Sequence, residues 1–98
     1  MENTRLNIIN EKAIELATYV KNCEEEKRLE TKVLEAEKIL DYLDKAITIA
    51  DDQNMTDTLN LLVDAYNKLD AEEAKLKYEL GEIRMAIYEF NLQRTKED

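Results

Sequence analysis

The chain has 98 residues with no His, no Trp and no Pro, and with one each of Cys, Gly and Phe. Each shortage closes a class of readings. Without His there is no imidazole base, no Cys-His pair and no His-containing metal site. A single Cys rules out an intrachain disulfide or a zinc cluster built within one chain. No Pro and one Gly (Gly81) leave out the turn punctuation of a sheet protein and any Gly-rich loop for phosphate. The longest apolar run, Met85-Ala86-Ile87-Tyr88, is too short to cross a bilayer. The opening Met1-Glu2-Asn3-Thr4-Arg5 lacks the basic-then-apolar pattern of a signal peptide. A cytoplasmic, non-enzymatic protein is expected, without cofactor, metal or small-molecule substrate.

What is present is helical. Ala, Glu, Lys, Leu and Arg make up 51 of the 98 residues, the composition of long helices and coiled coils. The apolar fraction of 44% is ordinary and the charged fraction of 38% is high. So polar a chain of this length buries a modest core, and a second copy or a partner is expected to complete it.

The net charge of −9 is gathered in the middle of the chain. Residues 1–23 hold three acids and three bases, and residues 74–98 hold five of each. Residues 24–44 carry eight acids against four bases, and residues 51–73 carry seven against one. Such a surface repels phosphates and anionic lipid, so direct nucleic-acid or membrane binding is not expected.

Asp51-Asp52-Gln53-Asn54-Met55-Thr56-Asp57 is the one cluster of turn and capping residues between two long periodic segments. It predicts an all-α helical hairpin in a single domain, 1–98, with helices over 4–50 and 56–94, a turn at 51–55 and a frayed tail at 95–98. Acids at Asp51 and Asp52 suit the last turn of a helix poorly, and Thr56 reads as the N-cap of the second helix.

In the second helix Leu59, Leu62, Tyr66, Leu69, Glu73, Leu76, Leu80, Ile83, Ile87 and Phe90 alternate in steps of three and four, an a/d heptad seam with one polar member. A second stripe, Ala71, Ala74, Tyr78, Gly81, Met85, Tyr88 and Leu92, lies on the opposite face. In the first helix the seam changes phase. Leu6, Ile9, Ala13, Leu16, Val20 and Cys23 form one register, and Val33, Ala36, Leu40, Leu43, Ile47 and Ala50 form another, offset by one residue. The join, Glu24-Glu25-Glu26-Lys27-Arg28, is charged all round. A continuous helix with local overwinding is favoured over a break capped by Asn22.

The candidate sites follow from these stripes. Ile8, Ile14, Tyr19, Ala74, Tyr78, Gly81, Met85, Tyr88 and Leu92 lie off the main seams and form the expected self-association surface of a homodimer, a four-helix bundle at the open ends. Ala74 and Gly81 are read as the closest approach of a neighbouring helix. Glu24, Glu25, Glu26, Asp64, Asp70 and Glu72 form the candidate acidic face for a protein partner with a basic surface. Glu73, on the seam, is expected to pair with Lys27, Arg28 or Lys32 of the opposing segment. Carboxylate pairs at Glu79/Glu82 and Asp41/Asp44 have the spacing used by magnesium-dependent all-α hydrolases, but the hairpin sets them far apart.

In outline a hairpin of this length resembles the small substrates of type VII secretion. Their Trp-x-Gly turn is replaced here by Asp52-Gln53-Asn54-Met55, so the resemblance is one of architecture and implies no function. Two functions are expected: a self-associating scaffold, adaptor or small chaperone, or a phage-type acidic inhibitor that mimics nucleic acid in a partner's basic groove.

Overall fold

The computed structural model describes the backbone of residues 2–97 and the side chains of residues 4–96. Two α-helices pack antiparallel, α1 over Glu2–Asp52 and α2 over Thr56–Glu97. The molecule is a rod of 77 × 22 × 14 Å, its length being that of 51 residues of α1 at helical rise.

α1 is unbroken through the charged join, whose residues are good helix formers. It runs two residues beyond the expected end, through Asp51 and Asp52. The stop is a Schellman motif. Asn54 takes a left-handed conformation, φ 56°. The Asn54 N–H donates to the Asp51 carbonyl at 3.1 Å, and the Met55 N–H donates to the Ala50 carbonyl at 2.9 Å. These bonds satisfy carbonyls that would otherwise be orphaned, and they offset two acids at the negative end of the dipole.

Met55, not Thr56, stands at the N-cap of α2, because its carbonyl accepts the first helical bond from the Leu59 N–H at 2.8 Å. Asp57 sits in the positive first turn. At the far end Thr95–Glu97 remain helical rather than frayed. Arg94 and Lys96 complement the dipole there, and the Thr95 hydroxyl donates to the Asn91 carbonyl at 2.9 Å. Asp98, the rest of the expected tail, lies outside the described residues.

All ten seam positions of α2, Leu59 through Phe90, are buried or half-buried. Beyond them, only Glu79 of α2 is not exposed among the described side chains. Val33, Ala36, Leu40, Leu43, Ile47 and Ala50 of α1 face them, also buried or half-buried. The centre of the core is Leu29, Val33 and Leu80, with Leu76 and Ile83 packed on it.

The N-terminal register of α1 does not join this seam. The helix carries the phase of its C-terminal half straight back through Leu29, Glu26, Asn22 and Tyr19, which are buried or half-buried. Leu6, Ile9, Leu16 and Val20 are 56%, 61%, 52% and 56% exposed, and Ala13 is exposed with them. Cys23 alone of that register is half-buried. The offset is therefore not absorbed by overwinding: one residue is about 100° around a helix, and it turns the stripe a quarter-circle away from α2.

Candidate interaction surface

Contacts across the hairpin set the register. Arg84 pairs with Glu26 at 3.2 Å and with Glu30 at 3.5 Å, and Lys77 with Glu37 at 3.5 Å. The Tyr19 and Phe90 rings stack at 4.5 Å and 19°. Carried on to the ends, this register leaves roughly the first ten residues of α1 projecting about 15 Å beyond α2.

The same register corrects the expected partner of Glu73. Its carboxylate accepts from Lys77 of its own helix at 2.9 Å, and Lys77 also bridges to Glu37. The bond to Glu73 holds the Lys77 ammonium above its ordinary value. Lys27, Arg28 and Lys32 are out of reach because α1 continues through Asp52. That moves the turn towards Asn54 and shifts the pairing by about one helical turn. Arg28 bonds Glu25 instead, with Nε at 2.9 Å from Oε2, and this hydrogen bond is the main cause that holds Glu25 below its ordinary value.

The expected self-association residues divide among several surroundings. Ile8 is exposed on the projecting end of α1. Ile14 is exposed beside Tyr19 and lines with it a shallow groove of about 330 Å³ together with Ala86 and Phe90. Tyr19 itself is half-buried by its stack on Phe90. Ala74, Tyr78, Gly81, Met85, Tyr88 and Leu92 are all exposed along the outer face of α2. A Cβ added at Gly81 would meet nothing within 4 Å, so within the hairpin no helix approaches it. The Tyr78 phenol is held above its ordinary value, chiefly by its hydrogen bond to Glu82.

The six acidic residues do not share one face. Glu25 borders a groove with Leu29 and Ile83, and Glu72 one with Ala36 and Ile39, on one flank of the rod. Asp70 borders a groove with Glu37 and Lys77 on the other flank, the flank where Glu26 meets Arg84. Asp64 pairs with Lys68 at 2.9 Å. Glu24 is exposed. Among the described residues no group of three or more His, Cys, Asp or Glu is placed to hold a metal ion. No described helix is long and apolar enough to cross a membrane.

Two surfaces went unread in the sequence. One is the rotated stripe Leu6–Val20, whose signal was the one-residue offset itself. The other is Ile39, Tyr42 and Ile49 of α1 with Leu61 of α2, all exposed on the acidic half. The α1 members, with Ala46 between them, fall in steps of three and four, so they too share a helix face. Comparison with protein families, curated proteins and solved structures finds no match to this chain.

Proposed function

We propose that this chain is a protein-interaction module, a hairpin that associates with itself through its open half and serves as scaffold, adaptor or small chaperone. The supporting observation is the amount of surface left in water. The chain exposes 8041 Å², whereas a compact monomer of 11.5 kDa exposes about 5,800 Å². The excess, about 2,200 Å² per chain, is well above the roughly 800 Å² that each partner of a standard interface buries and is of the order that obligate dimers bury. Much of it is apolar and arranged in helical stripes, Leu6–Val20 on α1 and Tyr78–Leu92 on α2. Sedimentation equilibrium at tens of micromolar tests this reading. A mass twice the 11.5 kDa of one chain supports it, and the mass of one chain removes it.

A second reading rests on Tyr42, Ile49 and Leu61, exposed within the acidic half. Apolar anchors ringed by carboxylates fit a partner with an apolar socket and a basic rim. The acidic inhibitor is the form of this reading with a nucleic-acid-binding partner. Capture from a host extract should then weaken steeply with salt, and charge reversal at Asp64, Asp70 and Glu72 should abolish it.

A further inference from the structure

We infer that two copies of the chain pair tail to tail, the stripe Leu6, Ile9, Ala13, Leu16, Val20 and Cys23 of one α1 packing antiparallel on the same stripe of the other. The inference rests on the self-association reading and adds the arrangement of the two copies.

Four observations carry it. The stripe keeps strict steps of three and four and lies a quarter-circle round α1 from α2, with its large members more than half exposed. Such periodicity is the mark of a surface made for another helix. Antiparallel helices pack a positions against d positions, and this stripe is self-complementary in that sense: Leu6 meets Cys23, Ile9 meets Val20 and Ala13 meets Leu16.

The charges choose the same direction. Antiparallel pairing brings Arg5 opposite the partner's Glu24-Glu25-Glu26 run. Parallel pairing would set Arg5 on Arg5 and that run on itself, and would lay the two acidic halves side by side. Tail-to-tail overlap joins the neutral segments 1–23 and 74–98 and sends the acidic turns to opposite ends of the assembly.

The projecting end of α1 supplies the last argument. The described side chains there, residues 4–10, are all exposed. In the antiparallel pair, residue 2 of one chain is level with residue 27 of the other, which lies beside Arg84. Met85, Tyr88 and Leu92, with Gly81, lie on the outer face of α2 and stay outside this interface.

The test uses the native Cys23 and a Leu6→Cys variant. Position 6 is exposed on the projecting helix, so the hairpin fold does not depend on it. Positions 6 and 23 of one straight helix lie about 25 Å apart, too far for an intrachain link. Mild oxidation or a short bismaleimide, with peptide mapping of the products, should give a covalent dimer linked between position 6 and Cys23, while Leu6→Cys combined with Cys23→Ser should give none. Sedimentation of the uncrosslinked chain runs alongside. A dimer linked 6 to 6 and 23 to 23, a dimer giving no cross-link, or particles that grow beyond two chains would each overturn the arrangement while leaving self-association standing. A one-chain mass would overturn both.

Discussion

Replacing Glu73 by Leu should make the protein more stable. Glu73 is 8% exposed and is the one buried charged residue of the described core. It sits on the seam between Leu69 and Leu76. Its one described partner is Lys77 at 2.9 Å, a half-exposed ammonium that water also solvates. An ion pair so placed contributes about 0.2–1 kcal/mol. A Leu buried to the same degree contributes about 1.5–3 kcal/mol in transfer free energy. Allowing for imperfect fit, the net gain is about 1–2 kcal/mol, which raises the thermal midpoint by roughly 4–8 °C per kcal/mol in a domain of this size. Urea titration should show a higher midpoint with an unchanged slope, the sign that the native fold is kept. Lys77→Ala is the companion variant. It leaves the carboxylate buried without its cation and should cost about 1–3 kcal/mol. A Glu73→Leu chain less stable than the parent by more than 1 kcal/mol would refute this accounting. A changed oligomer mass would mean that Glu73 specifies pairing, as single polar residues at a positions do in coiled coils.

Gly81→Ala should stabilise the hairpin by about 0.5–1 kcal/mol at every protein concentration, since helix propensity favours Ala and its methyl meets nothing within 4 Å; a loss of stability that grows with concentration would place a second copy on Gly81. Leu16→Asp should leave monomer stability within about 0.5 kcal/mol, because the site is exposed, yet abolish dimers in sedimentation; an intact dimer would clear the stripe of any role. Glu25 binds its proton more weakly folded than unfolded, so its contribution holds above the ordinary value of 4.5 and is lost as pH falls below it. Arg28→Ala should therefore flatten the pH dependence of the urea midpoint in that acid range, and an identical profile in both chains would contradict it.

The hairpin and the seam of α2 were legible because a heptad of ten positions in steps of three and four has one good solution, a facing helix. The second half of the α1 seam was legible for the same reason. Leu29, the most buried residue at 2%, belongs to neither register read in the sequence, because it directly follows the charged join Glu24–Arg28, although it lies four residues before Val33. The partner of Glu73 was missed because pairing register depends on where the turn ends. Two residues more of α1 move every cross-hairpin contact. The orientation of Leu6–Val20 was misjudged because an offset of one residue allows two outcomes, an overwound helix or a rotated stripe, and spacing alone does not weigh their costs. The acidic face dissolved into two flanks because charge density along the chain says nothing about angle around the helix.

The offset can be turned back, and that separates its two possible meanings. Inserting one Ala between Cys23 and Glu24 leaves Glu26 beside Arg84 and rotates everything before it by about 100° relative to the seam. Val20 then takes the place of Tyr19 opposite Phe90, and Leu16 follows it onto α2. Burying those two half-exposed side chains is worth about 2 kcal/mol, against about 0.5–1.5 kcal/mol for the lost stack of Tyr19 on Phe90. The inserted chain should thus be as stable as the parent or slightly more so. If the offset is only a tolerated fault in a two-helix fold, nothing else changes. If the stripe is turned outwards to meet a second copy, the inserted chain sediments as one chain at concentrations where the parent is two. A stable inserted chain that still dimerises would show that the rotated stripe is not what joins the copies, and the interface would then have to be sought on the outer face of α2.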